Sequence, residues 1–148
     1  MYKLFRRGYQ RWQTDLFRAP WFSKVFVETM GHLAEPIYDW AYQLMEPDIQ
    51  VASRLCDVGC GNGLMSRRVA RGVRGAHFTL IDQSASQIEA GAAVISEIAA
   101  HNHVTSYAQP AEAMPSADES FDLLYTTGSI NLWTDPVEGL RQCHRVLE

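Results

Sequence analysis

The fold is decided by residues 55–63, which read Leu55-Cys56-Asp57-Val58-Gly59-Cys60-Gly61-Asn62-Gly63. The segment from Arg54 to Val58, with Leu55, Cys56 and Val58 apolar, predicts a short buried strand. Three glycines follow at alternate positions, and Leu64 begins a segment with helical periodicity. Glycine suits such a turn because some positions need a positive φ and because a Cβ would keep a ligand away from the backbone. The stretch therefore predicts a strand, a tight turn open to a ligand, and a helix whose first N–H groups are free.

Strand and helix patterns alternate from this turn onwards. The predicted strands are Arg54–Val58, Ala76–Ile81, His103–Tyr107 and Phe121–Tyr125. The predicted helices are Leu64–Gly72, Ser84–Ala100 and one that begins at Asp135-Pro136. Ser84 and Gln87 have the spacing of a capping box, which is typical of a helix start. Strands alternating with helices indicate βαβ units, so the expected fold class is α/β, with a parallel sheet flanked by helices.

Residues 1–50 precede this pattern and are predicted to form a helical cap on the α/β domain of residues 51–148. One helix face would carry the residues Tyr2, Phe5, Tyr9, Trp12 and Leu16. Pro20 is expected to begin a second helix that ends at Gly31. Pro36 is expected to begin a third helix that ends at Pro47. One face of this third helix would carry Ile37, Trp40, Ala41 and Leu44.

Composition bounds the function. The chain has 148 residues, 47% of them hydrophobic and 20% charged, which fits one soluble globular domain. No apolar run approaches the roughly 20 residues that cross a bilayer. Three cysteines without a CxxC pair indicate neither a disulfide framework nor a metal site. We therefore expect a cytoplasmic protein that binds no metal.

Charge is unevenly distributed along the chain. Residues 1–26 contain six basic residues and one acidic residue, whereas the whole chain has a net charge of -4. The acidic remainder argues against nucleic-acid binding, which needs a basic surface. Residues 1–26 also hold eight of the sixteen aromatic residues. The favoured interpretation is a cap packed on the domain, and the alternative is a helix lying on an anionic membrane surface.

The glycine spacing separates two kinds of nucleotide site. A dinucleotide site of the form GxGxxG would have glycine or alanine where this chain has Leu64, which disfavours a nicotinamide-dependent oxidoreductase. The observed GxGxG, preceded by hydrophobic-Asp-hydrophobic, resembles the first motif of the class I S-adenosylmethionine-dependent methyltransferases. That resemblance implies a Rossmann-like sheet and S-adenosylmethionine as the cofactor. It assigns cofactor contacts to Asp57, Gly59, Cys60, Gly61, Asn62 and Gly63.

Two later segments extend the resemblance. Asp82 ends the second predicted strand, where the family places a carboxylate that accepts hydrogen bonds from the ribose diol, and Gln83 follows it. Residues 111–122 resemble the family segment that passes the adenine, which implies contacts from Ala111 and Glu112. Pro110 stands where the family has an acidic residue, so Gln109 or Glu112 would supply the missing acceptor. Thr127 follows the fourth strand, near the expected methyl donor.

The family sheet continues beyond a fourth strand, and this chain shows patterns for the first four. We therefore expect the strand order 3-2-1-4, with the C-terminal strands missing and the fourth strand as an edge that another copy could pair with.

The resemblance implies methyl transfer to a small-molecule acceptor, achieved mainly by proximity and orientation. No residue is assigned a catalytic role, because each histidine is isolated in the pattern. The alternative function is a methyltransferase-like binding or partner subunit without turnover.

Overall fold

The computed structural model describes residues 15–16 and 19–147 of the chain. Four parallel strands form its sheet, in the order β3-β2-β1-β4. Their bounds are Arg54–Val58 for β1, His77–Asp82 for β2, His103–Ala108 for β3 and Leu123–Tyr125 for β4. The predicted order 3-2-1-4 is confirmed. In the register, Asp57 of β1 lies between Leu80 of β2 and Tyr125 of β4.

Helices connect the strands and cover both faces of the sheet. Their bounds are Pro20–Ile49 for α1, Leu64–Ala70 for α2, Ala85–Ala90 for α3, Ala92–Ala99 for α4 and Pro136–Val146 for α5. Short 3-10 turns lie at Ala111–Ala113 and Ile130–Leu132. Asp135 caps α5 by accepting hydrogen bonds from the N–H groups of Val137 and Glu138.

Two hydrophobic clusters lie on the two faces of the sheet, because successive side chains of a strand point to opposite faces. On β1, Leu55 belongs to the cluster that α1, α2 and α4 cover. Cys56 and Val58 belong to the cluster under α5, together with Trp133 and Val146. The glycine turn therefore leaves a strand that is buried on both sides.

The helix boundaries predicted at Gly31, Pro36 and Pro47 are wrong, because α1 continues through all three residues. A proline removes one helical hydrogen bond and favours a kink, but it does not have to end a helix. Here packing outweighs that loss. Tyr42 and Ile49 are buried in the first cluster, and they lie on either side of Pro47.

The predicted face of this segment is also largely exposed. Ile37, Trp40 and Leu44 are 61%, 63% and 63% exposed, and Ala41 packs against the core. The residues that pack there are Tyr38, Ala41, Tyr42, Met45 and Ile49. Helical spacing could not separate the two faces, because α1 carries apolar residues on both. The helix face predicted for Tyr2 to Trp12 lies outside the described residues, and Leu16 is helical.

The predicted helix Ser84–Ala100 is divided at Gly91 into α3 and α4. A Cβ on Gly91 would lie 2.4 Å from the carbonyl oxygen of Asn62. The break therefore lets the glycine turn approach the backbone of this helical pair. The other helix and strand predictions hold, with ends that differ by up to two residues.

Strand β4 is shorter than predicted, and Phe121 makes a separate parallel bridge to Leu147. Self-association through β4 stays a prediction. No helix within residues 15–16 and 19–147 is both long and apolar enough to cross a membrane.

Candidate functional site

The glycine turn, residues 59–63, links the end of β1 to the start of α2. Gly59, Gly61 and Gly63 have φ angles of 75°, 54° and 80°, a region that favours glycine. The N–H of Gly59 donates to the carbonyl oxygen of Ile81 at 2.7 Å, which ties the turn to β2. A Cβ on Gly59 would lie 2.2 Å from the Cβ of Ser129. The first glycine is thus required by both its conformation and its neighbour.

Asp82 holds the turn from the end of β2. Its Oδ2 accepts the N–H of Gly61 at 2.8 Å, and its Oδ1 accepts the N–H of Ser84 at 2.8 Å. Burial raises the pKa of Asp82, while these two backbone hydrogen bonds oppose the rise. Each carboxylate oxygen keeps a second lone pair. Asp82 can therefore support the turn and still accept a hydrogen bond from a ligand hydroxyl.

A cavity of about 270 Å³ opens beside the turn, at the carboxyl ends of the strands. Ligands bind at this end of open α/β sheets. Its walls come from α1, the glycine turn, the segment after β3 and the loop after β4. From α1 the cavity takes Ala34, Ile37 and Tyr38. The predicted cap therefore contributes directly to the site.

The structure brings most of the predicted cofactor residues together around this cavity. Those that line it are Gly59, Cys60, Asp82, Gln83, Ala111, Glu112 and Thr127. Gly61 donates its N–H to Asp82 but does not line the cavity, and Gly63 occupies the N-cap position of α2. Asp57 and Asn62 are buried and do not line the cavity.

Asp57 lies under the glycine turn in a buried polar network. Its Oδ2 accepts the hydroxyl of Ser66 at 2.7 Å. Since that hydroxyl has one proton, the hydroxyl of Tyr125 donates to the Ser66 oxygen at 2.8 Å. Burial raises the pKa of Asp57 to about 7, against the hydrogen bond from Ser66. Asp57 therefore belongs to this buried network and does not line the cavity.

Ser129 anchors the loop after β4. Its Oγ donates to the carbonyl oxygen of Val58 at 3.1 Å and accepts the indole N–H of Trp133 at 3.1 Å. Thr126 shares a hydrogen bond with the same oxygen at 2.6 Å. Trp133 is buried and also lines the cavity. Trp133 is therefore both a packing residue and a residue of the cavity wall.

The adenine segment is arranged differently from the expectation. Glu112 lines the cavity, but its Oε1 accepts the backbone N–H of Asp135 at 2.8 Å. This hydrogen bond fixes the start of α5, so Glu112 is less available as an adenine acceptor. Gln109 and Pro110 also line the cavity. Gln109 is the remaining side chain of the two that were expected to accept from the adenine.

Tyr38 and Gln87 are among the cavity-lining residues that sequence reasoning missed. Burial, and then the charge of Asp57, raises the pKa of Tyr38. Gln87 was interpreted as a helix-start residue, and Ser84 does cap its backbone N–H at 3.4 Å. Its side chain, however, turns towards the cavity. No pattern in the sequence could have shown this, because the capping spacing accounts for the residue without it.

Comparisons with known proteins agree with this geometry. A family model described as a methyltransferase domain matches residues 55–148. A curated relative, 2-methyl-6-phytyl-1,4-hydroquinone methyltransferase 1, chloroplastic, of Oryza sativa subsp. japonica, is 29% identical over 136 residues. The match covers 88% of this chain and 40% of the relative, so the chain spans about two fifths of its length.

Solved structures show the same fold. A Methanococcus maripaludis protein, provisionally described as an S-adenosyl-L-methionine-dependent methyltransferase, matches with a TM-score of 0.67 at 20% identity. That match covers 84% of this chain and 59% of the other. The [4+2]-cyclase SpnF matches with a TM-score of 0.55 at 29% identity, over 65% of this chain and 35% of the other.

Proposed function

Because the chain belongs to the methyltransferase domain family, we propose that it binds S-adenosylmethionine and transfers the methyl group to a small apolar acceptor. One observation carries the proposal. A single cavity is lined by the glycine turn with Asp82 and also by the apolar side chains of Tyr38, Leu132 and Trp133. One part suits a nucleoside, and the other suits an aromatic or aliphatic molecule. The rice relative, named for a hydroquinone acceptor, supports an aromatic ring.

The residues present fit the cofactor. Asp82 would accept from the ribose, and its position is already fixed by two backbone hydrogen bonds. Ala111 opens a 3-10 turn, so its N–H has no partner within that turn and would donate to the adenine. Gln83 would pack against the ring from the cavity wall, where its amide contacts the carbonyl oxygen of Leu132 at 3.5 Å. Thr127 would lie beside the reacting end.

The bound cofactor would supply an activated methyl group on a positively charged sulfur. The protein then has to orient the acceptor and exclude water, which is mainly a proximity effect. The described lining contains no histidine, lysine or arginine, and its carboxylates, Asp82 and Glu112, already accept backbone hydrogen bonds. No lining residue is therefore assigned as a general base.

A second function is a binding or partner subunit of the same fold without methyl transfer. SpnF, 29% identical to this chain, is named for cyclisation, so the fold alone does not establish methyl transfer. Methyl transfer from labelled S-adenosylmethionine to simple hydroquinones separates the two functions. Label in the organic product supports the transferase, and cofactor binding without label supports the alternative.

The experiment that tests the cofactor site is calorimetric titration with S-adenosylhomocysteine. We expect micromolar binding by the wild-type chain and a loss of about 100-fold in Asp82→Ala, because hydrogen bonds to a charged group disappear. Asp118→Ala is the matched control, since Asp118 is exposed and pairs with Arg145 away from the cavity. A folded wild-type chain that binds nothing would overturn the proposal.

The cellular location and further partners remain predictions. A cytoplasmic location rests on composition, and the rice relative is named as chloroplastic. Membrane contact through residues 1–26 depends mostly on residues outside the described part of the chain.

A further inference from the structure

Gln87 is a buried polar side chain whose amide nitrogen lacks a hydrogen-bond partner among the described residues. The residue is 4% exposed and lines the cavity. Its Nε2 is shielded from solvent and has no hydrogen-bond partner in the part of the chain that the structure describes. Buried amide groups are nearly always hydrogen-bonded in folded proteins. Because Gln87 lines the cavity, a ligand there can become the missing partner when the side-chain amide turns towards it.

The position of Gln87 relative to Asp82 identifies the part of the ligand. The two side chains converge on Gly61. Asp82 accepts the Gly61 N–H at 2.8 Å, and the Oε1 of Gln87 lies 3.9 Å from the place where a Cβ of Gly61 would be. Ser84 also joins them, since it donates its N–H to Asp82 and caps the N–H of Gln87. The Gln87 amide and the Asp82 carboxylate thus both lie beside Gly61.

A hydroxyl group on the ligand needs both of these partners. It can donate one proton and accept at its lone pairs, whereas an ionised carboxylate can only accept. Asp82 can therefore accept the protons of a ribose diol, but it offers no donor to the oxygens of that diol. Gln87, whose Oε1 lies beside the same glycine, carries an amide N–H that can meet these oxygens.

We propose that Gln87 donates a hydrogen bond to a ribose hydroxyl of bound S-adenosylmethionine, next to the hydroxyl proton that Asp82 accepts. The inference rests on the proposed function, since it requires that the cavity takes this cofactor. Gln87 is a cofactor-binding residue in this assignment, and it adds a donor to the acceptor that Asp82 provides. The site would therefore recognise both the proton and the oxygen of a ribose hydroxyl.

The first test compares Gln87→Met with the wild type in S-adenosylhomocysteine titrations. Methionine keeps the length of the side chain and removes the donor. We expect the affinity to fall about tenfold. We also expect the melting temperature of the free chain to stay equal or rise, because an unpaired buried polar group is replaced by an apolar one. A residue with a purely structural hydrogen bond would instead lower the melting temperature on substitution.

Two further variants define the role. Gln87→Glu keeps an acceptor and removes the donor, so it should bind S-adenosylhomocysteine at least as weakly as Gln87→Met. Gln43→Met is the matched control, since Gln43 is exposed on α1 and does not line the cavity. The control should bind with wild-type affinity.

The deciding measurement uses the 2′-deoxy and 3′-deoxy analogues of S-adenosylhomocysteine. In the wild type, removal of the hydroxyl that Gln87 contacts should weaken binding more than it does in Gln87→Met, because that hydroxyl has already lost its donor there. Equal losses in both proteins for both analogues would overturn the assignment while leaving the cofactor site intact. A wild-type chain that binds no S-adenosylhomocysteine would overturn the proposed function, and this inference with it.

Discussion

The two ends of the sheet treat their aspartates in opposite ways. At the amino end, Asp122 accepts hydrogen bonds from the backbone and hydroxyl of Ser53, each at 2.9 Å, and pairs with Arg54. The Arg54 guanidinium, with these donors, holds the pKa of Asp122 well below its usual range. At the carboxyl end, Asp57 is 1% exposed, its pKa is raised, and its Oδ1 has no partner among the described residues.

This difference marks the part of the sheet where buried polar atoms lack partners among the described residues. Three buried side-chain atoms lack a partner in the described part of the chain, and they belong to Asp57, Asn62 and Gln87. Two of these residues lie in or directly before the glycine turn, and the third lies against it. Groups with perturbed pKa values cluster at functional sites, and an unpaired buried polar group there calls for an explanation. All three of these unpaired atoms lie towards the carboxyl end of the sheet, and of the three residues Gln87 lines the cavity.

The largest effect should come from Gly59→Ala. Its Cβ would meet Ser129 at 2.2 Å in a backbone with φ of 75°, so strain and overlap add. We expect a loss of about 4 kcal/mol in the free energy of unfolding, measured by urea denaturation. We therefore expect tight packing at the glycine turn, even though the Asn62 amide nitrogen in the turn has no partner among the described residues.

Two variants control this measurement. Gly75→Ala at the amino end has φ of 73° and open space around its Cβ, so it should lose about 1 kcal/mol from backbone strain alone. Adding Ser129→Gly to Gly59→Ala should recover part of the loss, because the clashing Cβ is removed. Equal losses in the two alanine variants would contradict the close approach of Ser129.

The second effect is a pH dependence that Asp57 introduces. Its folded pKa of about 7 lies above the unfolded value of about 3.9, so its contribution to stability is complete below pH 4 and is lost as the pH rises through 7. A pKa difference of about 3 corresponds to a loss on the order of 4 kcal/mol between these limits. Asp57→Asn should flatten the curve of unfolding free energy against pH. An unchanged curve would show that Asp57 is charged in the folded chain at neutral pH.

The third effect has the opposite sign and belongs to the amino end. Asp122→Ala should lower the free energy of unfolding by about 2 kcal/mol at pH 7, because several donors lose a charged acceptor. The folded pKa of Asp122 is lowered, so its contribution is present above the unfolded value near 3.9 and is lost as the pH falls through the folded value. The cost of Asp122→Ala should therefore shrink below pH 4. Affinity for S-adenosylhomocysteine should not change.

Local patterns were sufficient for the sheet and the glycine turn. The apolar run of β1 and the alternate glycines are signals that neighbouring residues carry, so the strand and its turn could be predicted. The strand order came from the family resemblance, because parallel strands pair across long connections that no local pattern encodes. Asp82 could also be assigned to the site from the family resemblance, since it stands at the end of the second strand.

Tertiary contacts decided the features that the sequence did not reveal. Helix α1 continues through Pro36 because its inner face packs on the core, and propensity alone would have ended it. The break at Gly91 depends on the backbone of Asn62, which is distant in sequence. Gln87 could not be assigned to the cavity, because whether a side-chain donor has a partner is a property of the fold.

The smallest effect concerns Ser129 at the carboxyl end, which forms hydrogen bonds with Val58, Thr126 and Trp133 of the chain. Ser129→Ala removes the acceptor of the Trp133 indole and the donor to Val58 but keeps the Cβ. We expect a loss of about 1 kcal/mol in the free energy of unfolding by urea titration, since neutral hydrogen bonds contribute about that much net. Trp133 fluorescence should also shift as its N–H loses this partner. Asp122→Ala should cost more, because Asp122 is a charged acceptor and Ser129 is a neutral one. A loss from Ser129→Ala clearly above about 1 kcal/mol would show that leaving the buried indole N–H of Trp133 without an acceptor adds to the cost.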